Sequence, residues 1–321
     1  MTKILIIGRV PPPVGGVTMH VTRLIESLTA HGFPHFTFCN LKKDSLCRII
    51  RKIMQHGIIH LHASNPFFQL LFAMFCFLLG KKLLLTYHGN WGRYGIHGNL
   101  AIKLSALICT VPIVQNKESM ATAQYYNGTA VLISTFIPSA YKTPLSPQHS
   151  QQLEEFRRSF KFIFCTNAWN LSFDKNGKET YGISEIISNI QHVDSGGLII
   201  SDPSENYKPF IKKTFGWIPG NILFIGGQHD FSNVLRVSDA FIRNTTTDGV
   251  SLSIYEAHEN NVVVLASASV SRADFCNIYQ DISKIDVVNE LKKGRIRLQD
   301  EEKMEGANVT IQLIDLYKRY I

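Results

Sequence analysis

Residues 239–266 read DAFIRNTTTDGVSLSIYEAHENNVVVLA, and they limit the folds open to this chain more than any other stretch. Residues 240–242 are a short apolar run that ends a strand. Residues 244–249 are Asn, Thr, Asp and Gly, the residues of turns. Residues 251–259 have helical character, and residues 262–266 are fully apolar and β-branched, as a buried strand requires. Strand, polar loop, helix and strand in this order make one βαβ unit, which commits the chain to a parallel sheet flanked by helices.

That unit has a chemical consequence. The first turn of a helix carries backbone N–H groups without partners, and the helix dipole makes that end positive. A loop of small residues lets a phosphate approach them. Gly249, Ser251, Leu252 and Ser253 occupy this turn. Asp248 precedes it, and Glu256 lies about one turn further on. Carboxylates there accept hydrogen bonds from neutral hydroxyls, so a diphosphate flanked by sugar and ribose, a nucleotide-sugar, suits the pattern. The plainer reading is a capped helix in an ordinary α/β domain.

The 321 residues suggest two domains. A Pro-, Ser- and Gln-rich stretch, residues 139–152, reads as the linker. The expected domains are residues 1–145 and 146–321, with the last helix crossing back onto the first domain. The architecture expected is α/β, two doubly wound domains facing across a cleft. A formal charge of +8 admits anionic partners, but no basic run is interleaved with aromatics, so nucleic acid is not expected. The six cysteines have no C-x-x-C spacing and read as reduced core residues. The chain starts at once with a strand, so no signal peptide is read and a cytoplasmic location is expected. The apolar run at residues 70–79 is too short to span a bilayer, which needs about 20 residues, and reads as a helix buried in a domain. Residues 42–55 form a basic amphipathic stretch, either a solvated face over a core stripe or a contact with anionic lipid at the inner face of the cell membrane.

The first half supplies a second group of candidates. KILIIG (residues 3–8) is a buried strand, RVPPPVGG a loop, and residues 17–28 a helix. Gly15 and Gly16 suggest close approach of a ligand to backbone. There is no G-x-G-x-x-G and no acid after the second strand, which argues against a dehydrogenase. His60 and His62 share one strand face, but no third metal ligand stands nearby, so no metal site is expected. KLLLTYH (residues 82–88) puts His88 at the carboxyl end of a strand, where parallel sheets bind ligands. Trp91 offers a face for sugar stacking and Arg93 a charge for an anion. Residues 107–114 and 160–165 read as further strands, and residues 179–191 as a helix.

Three places resemble a known family: the PPPxGG loop followed by His20, the strand ending in His88, and the Asp248-Gly249…Glu256-Ala257 spacing. They resemble retaining GT-B glycosyltransferases of family 4, in particular a bacterial subgroup that assembles surface polysaccharide such as O-antigen and lipopolysaccharide. Asp248 departs from the more usual Glu. The resemblance implies transfer of a sugar from a UDP- or GDP-linked donor to a lipid-linked glycan acceptor, with retention and with neither cofactor nor metal. It implies catalytic roles for His88, Asp248 and Glu256, donor contacts at Gly15, Gly16, Gly249, Ser251, Leu252 and Ser253, and acceptor-side positions at His20, Trp91 and Arg93. The family's diphosphate-neutralising Arg is missing, since Trp169 or Asn170 stands in its place. Lys175, Lys178, Arg243 and Arg272 are the candidate cations. A non-catalytic sugar-nucleotide-binding partner of another transferase, or a sugar-nucleotide epimerase, remains as an alternative.

Overall fold

A computed structural model describes residues 3–12, 15–134, 136–139, 143–248, 251–300 and 308–321. Two compact units result: residues 1–140 with 305–321, and residues 141–304. Each is built on a six-stranded, wholly parallel sheet.

In the first unit the chain alternates strand and helix: β1 (Ile4–Gly8), α1 (Gly16–Ala30), β2 (Phe36–Asn40), α2 (Leu46–Gln55), β3 (Ile58–Ala63), α3 (Pro66–Leu78), β4 (Lys82–Tyr87), α4 (Ile96–Ile108), β5 (Val111–Val114), α5 (Lys117–Tyr126) and β6 (Val131–Leu132). The order is β2-β1-β3-β4-β5-β6. Helices α2, α3, α4 and α5 cover one face, through Ile49, Ile53, Phe72, Cys76, Ile102 and Ala123.

The second unit holds α6 (Pro147–Ser159), β7 (Phe162–Asn167), α7 (Ile183–Ile190), β8 (Gly196–Asp202), α8 (Tyr207–Phe215), β9 (Ile222–Gly226), α9 (Ser232–Leu235), β10 (Ala240–Arg243), α10 (Leu252–Glu259), β11 (Val263–Ser267), β12 (Asn277–Tyr279) and α11 (Val287–Asp300). Its order is β12-β11-β10-β7-β8-β9. The last helix, α12 (Asn308–Lys318), belongs to the first unit. Val309, Leu313, Leu316 and Tyr317 pack with Leu24 and Leu28 of α1 on the face opposite α2–α5.

Four expectations are corrected. Residues 139–152 are not all linker: α6 starts at Pro147, with Ser146 accepting from the His149 amide, so Ser-Pro here is a helix cap followed by proline at the first helical position. Residues 107–114 are not one strand, because α4 runs to Ile108 and β5 begins at Val111. The helix expected at residues 179–191 starts later, at Ile183. Phe173 and Glu179 bridge antiparallel, and the left-handed Gly182 (φ 54°) turns the chain into α7. A side chain at Gly182 would strike Asn244. The apolar run at residues 70–79 is only half buried: Phe72, Ala73 and Cys76 face the sheet, while Leu71, Met74, Phe77 and Leu78 are exposed.

Among the described residues no helix is long and apolar enough to cross a membrane. All six cysteines are free, and five are buried.

One polar contact ties α12 to the sheet. His60 is fully buried on β3, and its Nδ1 lies 2.6 Å from Tyr317 Oη while Nε2 lies 2.8 Å from Thr86 Oγ1. Removing the phenol leaves a buried imidazole nitrogen unpaired, which costs about 1–3 kcal/mol. Tyr317→Phe is therefore expected to lower the urea midpoint by that equivalent without changing the circular dichroism of the folded state.

Candidate functional site

In the second unit the strand order reverses between β7 and β10. Parallel sheets bind ligands in the crevice at the carboxyl ends of the strands where such a reversal falls. Asn167 ends β7, Arg243 ends β10, and Ser267 ends β11. These residues converge. Arg243 Nε donates to Asp248 Oδ2 (2.8 Å), and its Nη1 donates to Asn167 Oδ1 (3.1 Å). Its guanidinium sits over the Tyr181 ring, 5.1 Å from the centroid.

Arg272 reaches the same carboxylate oxygen from the loop after β11. Its Nη1 donates to Asp248 Oδ2 (3.1 Å), Nη2 to Thr245 Oγ1 (2.8 Å), and Nε to the Ser267 carbonyl (3.1 Å). The side chains of Arg243, Arg272 and Asp248 are 10%, 3% and 12% exposed. Burial would raise the Asp248 carboxyl, but the charges and hydrogen bonds of Arg243 and then Arg272 outweigh it and hold the group below the usual carboxylate range. Two guanidiniums against one carboxylate leave one excess positive charge in a poorly hydrated place, where a second anion is favoured.

The start of α10 adjoins this network. Asn167 Nδ2 donates to Ser253 Oγ at 2.6 Å, so one asparagine joins Arg243 to the first helical turn. Ser251 is the N-cap, and its Oγ is buried with no hydrogen-bond partner among the described residues. Leu252 and Ser253 are partly buried, and helix geometry leaves their amides without intrahelical acceptors. Glu256 is partly buried one turn further on. Gly249 lies outside the described residues.

Of the four candidate cations, Arg243 and Arg272 are brought together. Lys178 is instead paired with Glu185 (3.0 Å), which also accepts from Asn244 Nδ2 (2.8 Å). Lys175 is exposed in the turn made by Asp174. Trp169, one of the two residues expected where the resembled family carries its Arg, is exposed, Asn170, the other, accepts from Asn206 Nδ2 (2.8 Å), and Arg243 reaches Asn167 at the nearby strand end. Asn167 and Thr245 were missed in the sequence. Asn167 carried a usable signal, as a polar residue closing the apolar strand FIFCTN.

In the first unit the reversal falls between β1 and β3. A side chain at Gly8, the end of β1, would meet Val21 at 2.9 Å, so α1 packs directly on the strand end. This brings His20 of α1 beside His62 of β3 and His88 beyond β4, with ring centroids 5.0–5.4 Å apart. Gln115 Nε2 lies 3.4 Å from His88 Nδ1, and His88 Nε2 lies 3.1 Å from His62 Nδ1. An amide nitrogen only donates, so the proton of His88 sits on Nε2 and passes its hydrogen bond to His62. His62 then carries its own proton on Nε2, a buried atom without a partner among the described residues.

Burial first, and then the neighbouring imidazoles, push His62 and His88 well below the usual histidine value. Both ring nitrogens of His88 are thus committed to protein, and the last donor of this series is the buried His62 Nε2.

The nitrogens of His20, His62 and His88 lie within 4.8 Å of one another and could hold a metal. The sequence missed this third-ligand geometry because the three residues come from α1, β3 and the loop after β4. A tetrahedral ion needs ligand nitrogens about 3.4 Å apart, so the ring set would have to tighten and give up the His62–His88 hydrogen bond.

Gly15 caps α1 with extended backbone, and its amide donates to Thr18 Oγ1 at 3.0 Å. A side chain at Gly16 would meet nothing within 4 Å. Local packing therefore does not demand glycine at this position. Trp91, expected to present a face to sugar, packs edge-to-face on Tyr87 (5.1 Å) against the core, with its indole nitrogen buried. Arg93 is exposed and stacks on Tyr94, and a side chain at Gly89 would touch its guanidinium at 3.1 Å.

Both units with their flanking helices have the fold of GT-B glycosyltransferases. HepE of Anabaena, in complex with UDP, superposes with a TM-score of 0.69 at 13% identity, covering 99% of this chain and 100% of its own. Sucrose-phosphate synthase of Thermosynechococcus elongatus gives 0.68 at 14% identity, covering 99% of each chain. WaaG, a glycosyltransferase involved in lipopolysaccharide biosynthesis, gives 0.62 at 10% identity, covering 98% of this chain and 99% of its own. No protein-family model matches the chain, and no curated protein matches it in sequence.

Two outcomes follow from the buried charges. Asp248→Asn leaves two buried guanidiniums without a counter-charge and is expected to cost about 3–5 kcal/mol, read as a lowered urea midpoint at neutral pH. The histidines set a pH dependence. Above about pH 6.5 both folded and unfolded histidines are neutral, and stability is full. Below it the unfolded chain binds protons that the folded His60 and His62 refuse, so stability falls by about 1.4 kcal/mol per pH unit for each. For His60 this continues down to about pH 3. Urea melts between pH 6.5 and 4.5 should show this fall, and His62→Asn should make it shallower.

Proposed function

We propose that the chain is a metal-independent glycosyltransferase that moves a sugar from a UDP- or GDP-linked donor to a lipid-linked oligosaccharide or polysaccharide acceptor, with retention of anomeric configuration. The observation that carries this reading is the pair of buried guanidiniums sharing one carboxylate oxygen at the strand reversal of the second sheet. Their excess charge, the amides opening α10 and the Ser251 hydroxyl, which has no partner among the described residues, suit a diphosphate.

In this reading Arg243 and Arg272, rather than Lys175 and Lys178, neutralise the diphosphate, and Asp248 holds them in place. With Oδ2 committed, Asp248 meets donor sugar hydroxyls through Oδ1. Glu256 accepts from ribose hydroxyls. Gly15 and Gly16 let a substrate approach the start of α1. His88 does not serve as a base, its nitrogens being engaged, and its part in transfer is to shape the crevice of the first unit. His20 and His62 line the wall of this crevice from within, and the exposed Arg93 meets the acceptor.

The bond between the anomeric carbon and the diphosphate oxygen breaks. The acceptor oxygen bonds to the same face of that carbon, and its proton passes to the departing phosphate oxygen. Cations and amides stabilise the charge that develops on the leaving group. HepE is described with UDP and with UDP-glucose, and WaaG with lipopolysaccharide biosynthesis. These support a nucleotide-sugar donor and, by analogy, a surface-polysaccharide or O-antigen product made at the inner face of the cell membrane.

The test is calorimetric titration with a panel of UDP- and GDP-sugars, followed by product analysis on lipid-linked acceptors. Binding of one donor is expected, with turnover that falls at least about a hundredfold in Glu256→Ala while the thermal midpoint holds. Unchanged turnover dismisses the role of Glu256. Binding without turnover on any acceptor turns the reading into that of a non-catalytic partner, and conversion of donor without acceptor into that of an epimerase.

A further inference from the structure

The apolar surface of this chain is unevenly distributed. Twenty-two large apolar side chains are exposed among the described residues, and thirteen of them lie on α2, α3 and α4. Eleven of the thirteen are spaced three or four apart, which places them in one stripe on each helix: Leu46, Ile50 and Met54 on α2; Phe67, Leu71, Met74 and Leu78 on α3; Ile96, Leu100, Leu104 and Leu107 on α4. Leu78 is 80% and Ile96 86% exposed. The three helices share one face of the first sheet, and α3 and α4 pack along each other. The stripes therefore lie on one side of the first unit, with those of α3 and α4 adjoining, and are more concentrated than the scattered apolar residues of an ordinary exterior.

Charge follows the same boundary. Residues 41–110 hold nine lysines and arginines and one acid, Asp44, which is a net +8. The remainder holds 24 basic and 24 acidic residues, so the whole formal charge of the chain resides in the segment that exposes the stripes. Asp44 is spent on Arg48 (3.2 Å) and Lys52 (3.8 Å).

We propose that the outer face of α2, α3 and α4 docks on an anionic lipid bilayer, the apolar stripes entering the headgroup boundary and the cations meeting lipid phosphates. Apolar side chains in a segment with a large excess of basic over acidic ones are the composition of a surface that lies on a membrane. A second copy of the chain is the poorer occupant, because it would set one +8 segment against another. Spanning is excluded for α3, whose 13 residues reach only about 20 Å.

The topology gives the surface a purpose. Helices α3 and α4 begin just after β3 and β4, so Phe67 and Ile96 lie at the same strand-end edge as His62 and His88. An acceptor held in the bilayer would meet the protein at that edge. The inference rests on the transferase reading for this purpose alone, and its test does not.

The full-length protein is sedimented with vesicles of phosphatidylcholine and phosphatidylglycerol in equal parts, and with vesicles of phosphatidylcholine alone. Sedimentation with the anionic vesicles is expected, reduced about tenfold or more by high salt, by omission of phosphatidylglycerol, or by Arg48→Glu with Arg51→Glu. Leu71→Glu with Leu100→Glu, both exposed, should abolish it with the thermal midpoint held. The proposal is overturned if the native chain stays in solution at low salt, if the Leu71/Leu100 variant sediments as well as the native chain, or if the native chain is a dimer in solution that this variant separates. Vesicle binding without binding of any nucleotide-sugar would remove the transferase reading and leave the docking surface standing.

Discussion

Arg243, Arg272 and Asp248 form the contact that fixes the strand-end crevice of the second unit. Asp248 comes from the loop after β10, Arg243 from the end of that strand, and Arg272 from beyond β11. One carboxylate oxygen thus cross-links the turns that follow two neighbouring strands. Pairs this well buried contribute little net stability, because desolvation consumes most of the attraction. Their effect is positional: the guanidiniums cannot turn to solvent, and the charge they fail to cancel remains at the start of α10 to be met by something else. Asn167 extends the arrangement, holding Arg243 through its oxygen and Ser253 through its nitrogen.

The first unit solves the same problem of a polar strand-end crevice without charge. Its imidazoles are neutral because burial and mutual repulsion keep protons off them. Hydrogen bonds then run in one direction, from Gln115 through His88 to His62, and a second set fixes His60 between Thr86 and Tyr317. A neutral donor suits hydroxyls, whereas the excess cation of the second unit suits an anion. The two sheets are alike in topology and opposite in electrostatics.

Much of the fold was legible in the sequence because parallel strands buried on both faces read as unbroken apolar runs. KILIIG, FIFC and VVVLA left little choice. Legibility failed where one signal served two structures. Residues 107–114 are apolar throughout and hold both the end of a helix and the whole of a strand. Ser146-Pro147 opens a helix with the same residues that make a linker. The apolar run of α3 looked like core because apolar composition does not say what lies on the far side of a helix. At the site, the acid at position 248 and the helix start after it were visible from spacing. The closure of two arginines on one oxygen was not, since Arg272 is 24 residues from its partner. Nor was the histidine cluster, whose members meet only after α1 packs on Gly8.

The return of α12 to the first sheet bears on how the chain is made. The second unit is continuous in sequence, so a ribosome delivers all of it before the first unit is whole. His60 emerges early, yet the phenol that satisfies it comes 257 residues later. Until then the sheet face on which α1 packs Leu24 and Leu28 lies partly bare on the nascent chain. Domains tend to fold in order of synthesis, and this one inverts that order: the unit begun first is the unit finished last.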